Sequence, residues 1–141
     1  MKTTIPLELV DIEDEGYHFT VEVLLNGVKA RLVLDTGASR TVLDSNCIAD
    51  YVPEPVLKEE ERLSAGVGSN QLQSFSIVLK KVEIGGLEIR DYPVAVLDLQ
   101  HVTASYHHIG KGVVHGVLGG DILLSCNAVI DYKNRTMSLQ K

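Results

Sequence analysis

The residues with the clearest chemical meaning lie at the end of an apolar segment. Residues 30–34 (Ala-Arg-Leu-Val-Leu) run directly into Asp35-Thr36-Gly37-Ala38-Ser39. An ionised carboxylate in such a place is costly to bury unless it is hydrogen-bonded or shares a proton. Gly37 lets the backbone bring a peptide N–H against the carboxylate, because no Cβ stands in the way, and Thr36 offers a hydroxyl to a partner. Two carboxylates that share a proton can activate a water molecule, and this pattern suggests that chemistry.

A simpler interpretation of Asp35 is also open. Aspartate and glycine are common in turns, where the Asp side chain accepts hydrogen bonds from the nearby backbone. An isolated Asp-Thr-Gly is usually a turn of this kind, so the surrounding sequence has to decide between the two interpretations.

The elements that must position Asp35 are predicted to be β-strands. Apolar and polar residues alternate along 18–25 and 28–34, and the Asn26-Gly27 pair between them is typical of a hairpin turn. A second hairpin is predicted over 77–89 around Gly85-Gly86, then a short strand over 93–97 with Pro93 at its start, and a third hairpin over 128–139. Helices are predicted at 44–51 and 121–125. The pattern predicts an all-β closed barrel or sandwich with one or two short helices.

These segments resemble the retropepsin-like aspartic proteases. The family signature, two apolar residues followed by Asp-Thr/Ser-Gly-Ala/Ser-Ser/Thr, matches residues 33–39 at every position. The family's second landmark, two apolar residues and a glycine before a short helix, matches Val117-Leu118-Gly119, and its glycine-bearing flap maps onto residues 63–69. The resemblance implies the acid-protease type of β-barrel and an aspartic endopeptidase activity. It implies catalytic roles for Asp35, Thr36 and Gly37, and substrate binding by Ala38, Gly66, Val67 and Gly68.

One chain supplies only half of this chemistry. No second Asp-Thr/Ser-Gly exists in the sequence, since Asp44-Ser45-Asn46 lacks the glycine and Asp121 and Asp131 lack the hydroxyl residue. A homodimer with one Asp35 from each chain at its two-fold axis is therefore expected. The resemblance adds that Thr36 of each chain forms a hydrogen bond to the backbone of the other, and that terminal strands often build the interface. It also implies that a peptide or protein substrate lies extended beneath the flap. No cofactor and no metal ion are expected.

Residues 101–115 depart from the resemblance, because the chain is longer than a viral-type subunit. This stretch is predicted to be an inserted loop, and it holds four of the five histidines, His101, His107, His108 and His115. Neither a Cys-x-x-Cys nor a His-Glu-x-x-His spacing supports a metal site there. A polar loop with titratable tips is the expected structure.

Two other functions compete with a protease. A catalytically silent protease-like domain would serve dimerisation or peptide binding, since a fold does not establish a function. A phosphotransferase would use Asp35 as a phosphorylated nucleophile, but it needs a magnesium site on a parallel α/β sheet, and the helices are missing. The intact Asp35-Thr36-Gly37 favours the enzyme, because a structural domain need not keep a costly carboxylate there.

Composition limits the remaining possibilities. The chain has 141 residues, 45% of them hydrophobic and 23% charged, as expected of a single globular domain over 1–141. Its net charge of −6 argues against nucleic-acid and membrane partners, which need a basic face or an apolar span. The N-terminal residues lack a signal-peptide pattern, and the two cysteines, Cys47 and Cys126, are too few for a disulfide framework. A cytoplasmic location is therefore expected.

Overall fold

The computed structural model describes residues 1–13, 15–53 and 74–141, together with the backbone of residues 58–60. The strands are β1 Lys2–Pro6, β2 Glu8–Asp11, β3 Tyr17–Leu25, β4 Val28–Leu34, β5 Val42–Asp44, β6 Lys58–Glu60, β7 Ser74–Ile84, β8 Leu87–Leu97, β9 Gly116–Leu118, β10 Val129–Asp131 and β11 Thr136–Gln140. The helices are α1 Gln100–His108 and α2 Gly120–Ser125, and a single 3₁₀ turn spans Ile48–Asp50.

Two tight turns set the register of the longest strands. Asn26 and Gly27 have φ angles of 50° and 85°, the left-handed geometry of a type I′ turn, and they join β3 to β4. Gly85, with φ of 63°, lies in the turn that joins β7 to β8. Both hairpins agree with the sequence prediction, because both depend on local residues that tolerate positive φ.

Six strands close into a barrel in the order β3-β4-β9-β5-β8-β7. The closing contact pairs Leu24 and Leu25 of β3 with β7. β9 lies parallel to β4 and antiparallel to β5, so it joins the first half of the chain to the second. Leu32, Leu43 and Leu118 fill the interior and are at most 1% exposed. The predicted all-β fold, a closed barrel or sandwich with one or two short helices, is therefore confirmed, and it is a closed barrel.

A second, three-stranded sheet has the order β1-β11-β10. β1 pairs with β11 along its whole length, from Lys2 opposite Gln140 to Pro6 opposite Thr136. The amino group of Met1 also donates a 2.7 Å hydrogen bond to the carbonyl of Lys141. The two terminal strands of the described chain are thus paired with each other.

The loop predicted over residues 101–115 was wrong for its first part, because Gln100–His108 forms helix α1, while residues 109–115 form no helix or strand. Tyr106 is the helix residue that is buried, and Val102, one turn earlier, is partly buried on the same side. The side chain of Asp98 accepts a 3.0 Å hydrogen bond from the N–H of Gln100 at the start of the helix. Two apolar residues among serine, threonine and histidine give too weak a 3.6-residue period to predict a helix.

Two other predicted boundaries were also wrong. The helix expected over residues 44–51 is only the 3₁₀ turn Ile48–Asp50. The strand expected to begin at Pro93 is part of the continuous strand β8, in which Asp91 has a φ of 51° and interrupts the pairing with β7. Pro93 is exposed and precedes the residues of β8 that pair with β5, where its missing N–H matters less.

Candidate active site

Asp35 follows the last residue of β4 and is held there by the neighbouring strand. Its backbone N–H donates a 3.0 Å hydrogen bond to the carbonyl of Leu118, the last residue of β9. Along β4, Ala30 and Leu32 belong to the barrel core, whereas Val33 belongs to a separate cluster outside the barrel. Because side chains alternate along a strand, Asp35 continues the outward-facing set with Val33. Its side chain is exposed.

Gly37 contacts the Asp35 carboxylate directly. The N–H of Gly37 donates a 2.9 Å hydrogen bond to Asp35 Oδ1, and a Cβ at residue 37 would lie 3.2 Å from the same oxygen. The carbonyl of Asp35 accepts a 3.2 Å hydrogen bond from the N–H of Ala38. The turn therefore fixes one carboxylate oxygen, as the sequence led us to expect, while Thr36 stays exposed.

The two sequence motifs meet beside this turn. The N–H of Gly120 donates a 2.7 Å hydrogen bond to the carbonyl of Ala38. Residue Ala38 is half-buried. A Cβ on Gly119 would lie 2.5 Å from the carbonyl oxygen of Arg40 and 3.0 Å from that of Ala38. Glycine at 119 is thus required by the close approach of two backbones.

A polar network supports the contact between the motifs, and the sequence interpretation missed it. Asp121 Oδ1 accepts hydrogen bonds from the N–H (2.9 Å) and the hydroxyl (2.8 Å) of Thr41, and Asp121 Oδ2 accepts one of 2.7 Å from the Tyr92 hydroxyl. The Thr41 hydroxyl accepts a 3.1 Å hydrogen bond from the N–H of Gly119. Burial, and then the bond to Asp121, raise the pKa of Tyr92 well above its ordinary value.

A sequence signal for this network did exist. Asp121 lies in the first turn of α2, next to the second motif, and a carboxylate there is stabilised by the helix N-terminus. The sequence interpretation tested Asp121 only as a second catalytic carboxylate. Its partners Thr41 and Tyr92 are 80 and 29 residues away in the chain, so no local spacing connects them.

The predicted flap residues Gly66, Val67 and Gly68 lie outside the described residues. The structure therefore places Asp35, Thr36, Gly37 and Ala38 in one exposed turn and leaves the flap as a prediction. In the described part of the chain, no three His, Cys, Asp or Glu side chains are grouped to hold a metal ion. Nor does any helix there have the length and apolar character needed to cross a membrane.

Comparison with known proteins identifies the family. The family model described as "Aspartyl protease" matches residues 21–122, which is more than half of the chain and includes both motifs. The chain therefore belongs to the aspartyl protease family. A search of curated proteins gave no match.

Solved structures of three proteins resemble this fold. A retropepsin-like aspartic protease from Rickettsia conorii is 21% identical with a TM-score of 0.62, and the alignment covers 99% of this chain and 92% of that one. The EIAV protease in complex with the inhibitor HBY-793 is 24% identical, with a TM-score of 0.60 and coverages of 86% and 99%. The retroviral protease-like domain of Ddi1 from Leishmania major is 15% identical, with a TM-score of 0.59 and coverages of 85% and 86%. The fold is thus retropepsin-like.

Proposed function

We propose that the protein is an aspartic endopeptidase that works as a homodimer, with one Asp35 carboxylate from each chain in a shared site. The observation that carries this proposal is the turn at Asp35, where the Gly37 N–H holds one oxygen of an exposed carboxylate at 2.9 Å. The sequence holds a single Asp-Thr-Gly. A two-fold axis beside this turn would bring in the second carboxylate through an isologous interface.

In this proposal the two Asp35 carboxylates hold a water molecule and share one proton. The ionised carboxylate removes a proton from the water, while the protonated one donates its proton to the carbonyl oxygen of the scissile peptide bond. Breakdown of the tetrahedral intermediate then requires a proton on the leaving nitrogen, and the dyad supplies it. Gly37 orients the carboxylate, and the hydroxyl of Thr36, which is exposed in the single chain, would bond to the partner's turn.

The substrate in this proposal is a peptide or protein segment in an extended conformation. Ala38 would contact the substrate on the side of the catalytic turn. Gly66, Val67 and Gly68 of the flap would cover its other side, and the substrate's main chain would form hydrogen bonds there as an added strand does. We also propose that residues 1–141 act as one domain. The two free thiols, Cys47 and Cys126, support a reducing, cytoplasmic location.

An exposed strand edge supports the proposed dimer. β10 is the last strand of the order β1-β11-β10, so one of its edges has no neighbour within that sheet. Val129 on β10 is 61% exposed, and Leu124 on the preceding helix α2 is 82% exposed. Pairing of two β10 edges would bring the two copies of Val129 into the interface and satisfy the backbone groups of the edge. The terminal strands are already paired within one chain, so we propose β10, rather than exchanged termini, as the interface.

Peptide digestion tests the proposal. The purified protein is incubated with a diverse peptide mixture beside an Asp35→Asn control, which is nearly isosteric but cannot share a proton. Cleavage by the native protein that disappears in Asp35→Asn, with an unchanged melting temperature, is the expected result. Peptide binding without any cleavage would instead favour the silent protease-like domain.

A further inference from the structure

Helix α1 lies on the outer face of β3 and β4, close to the proposed catalytic turn. The hydroxyl of its buried residue Tyr106 is 2.6 Å from Nδ1 of His18 on β3. Tyr106 and Val33 also belong to the same apolar cluster outside the barrel. Val33 and Asp35 are two residues apart on the same face of β4, which is about 7 Å along a strand. The inserted helix therefore borders the face on which Asp35 is exposed.

The register of the two strands gives His18 a place at the same level. The last recorded pair of β3 and β4 is Thr20 opposite Val33. His18 lies two residues before Thr20 on β3, and Asp35 lies two residues after Val33, just beyond the end of β4. Because opposite residues of an antiparallel pair stay level along both strands, we infer from this register that His18 lies on the β3 side of the turn that carries Asp35. Its hydrogen bond to Tyr106 fixes the imidazole against α1.

A pocket of about 610 Å³ opens between α1 and the turn that joins β2 to β3, and His18 forms part of its wall. Ile12, Val102 and Ile109 contribute partly buried apolar surface. Glu13 and Glu15 line the same pocket and are exposed. Neither glutamate forms an ion pair with a residue that the structure describes. The pocket thus combines apolar walls, two carboxylates without an ion pair among the described residues, and the imidazoles of His18 and His108.

We propose that this pocket is a specificity subsite that takes a long basic side chain, lysine or arginine, of the peptide substrate. The aliphatic stem of such a side chain would pack on Ile12, Val102 and Ile109, and its charged end would reach Glu13 and Glu15. The protein's net charge of −6 also favours cationic substrates during encounter. The inference rests on the proposed endopeptidase function, and it gives the inserted helix a role in substrate choice.

The test compares peptides that carry lysine, norleucine or glutamate at each position flanking the cleaved bond. The double variant Glu13→Gln and Glu15→Gln keeps the shape of both side chains but removes their charge. Its expected effect is a threefold to tenfold rise in KM, by order of magnitude, for the lysine peptides at unchanged kcat. The reversed variant Glu13→Lys and Glu15→Lys should prefer the glutamate peptides. Glu22→Gln is the matched control, since it removes an exposed carboxylate on β3 that lies outside this pocket.

The inference is overturned if the native protein cleaves peptides without preferring a basic residue at any position. It is equally overturned if that preference survives in both double variants. Binding of the same peptides to the Asp35→Asn protein, measured by fluorescence anisotropy, separates this inference from the proposed function. Binding of basic peptides that depends on Glu13 and Glu15 would support the subsite even if the native protein cleaves nothing, and such an outcome would refute only the protease.

Discussion

The N–H of Gly37 donates a 2.9 Å hydrogen bond to Oδ1 of Asp35. A Cβ at residue 37 would lie 3.2 Å from the same oxygen, so any side chain there would require the carboxylate to shift. We expect Gly37→Ala to lower kcat about tenfold to a hundredfold, because the new methyl group would press on the carboxylate and displace it from its proposed partner. The free energy of unfolding should change by about 1 kcal/mol or less, since the turn is exposed. Steady-state kinetics and urea unfolding measure the two effects, and an unchanged kcat would contradict this view of Gly37.

Gly119 and the adjacent Gly120 form a matched pair for a stability test. A Cβ on Gly119 would lie 2.5 Å from the Arg40 carbonyl oxygen, whereas one on Gly120 would lie 3.4 Å from that of Ala38, an ordinary contact. Gly119→Ala is therefore expected to cost about 1–3 kcal/mol through overpacking, and Gly120→Ala much less. Equal melting temperatures for the two variants would show that the backbones separate easily at this point.

The carboxylate of Asp121 is expected to stabilise the fold through Thr41, which is only 3% exposed. Asp121→Ala would leave the buried N–H and hydroxyl of Thr41 without their acceptor, at a cost of about 1–3 kcal/mol. Asp121→Asn retains an acceptor oxygen and should cost less, while Tyr92→Phe removes one hydrogen bond and should cost about 1 kcal/mol. Urea unfolding of the three variants tests this order, and it fails if Tyr92→Phe is the most damaging.

Val129 provides a test of the proposed dimer interface. Val129→Lys puts a charge on the β10 edge and is expected to shift sedimentation toward the monomer while the circular dichroism spectrum of the folded chain stays unchanged. Val78→Lys is the control, because Val78 is similarly exposed (56%, against 61% for Val129) but lies on β7. A native protein that remains monomeric at high concentration and with peptide bound would contradict the dimer.

Cys47 should react slowly in the folded protein. Burial, with a smaller effect of the nearby carboxylates Asp44 and Asp50, raises the pKa of its thiol from 9.0 to about 11. The nucleophilic thiolate is therefore about a hundredfold scarcer at any pH well below 9. We expect iodoacetamide at pH 8 to modify Cys47 far faster after unfolding in urea, as measured by peptide mass spectrometry. Rapid labelling of the native protein would show that the thiolate is more accessible than its burial implies.

Features that depend on neighbouring residues were predictable from the sequence. Asn26-Gly27 marks a hairpin because both residues tolerate positive φ, and the turn at Asp35 follows from a glycine placed two residues after a carboxylate. The fold class followed from the two-residue period of the strands.

Features that depend on distant residues were not predictable in this way. β1 becomes a strand because Lys2 pairs with Gln140, at the other end of the chain. Asp121 gains its role from Thr41, 80 residues earlier. Helix α1 depends on the surface beneath Tyr106, to which Val10 of β2 and Val33 of β4 contribute only after the sheet has formed. Tertiary context overrides weak local propensity in each case.

The pairing of β1 with β11 affects how the proposed dimer would respond to dilution. Because both terminal strands are already paired in a single chain, two complete bodies would associate without either having to unfold or exchange a strand. A dilute solution would then hold well-folded but idle chains. Below the dissociation constant, the amount of dimer rises with the square of the protein concentration. Local accumulation of the chain would by itself turn proteolysis on, and dispersal would turn it off, with no change in the fold of either copy.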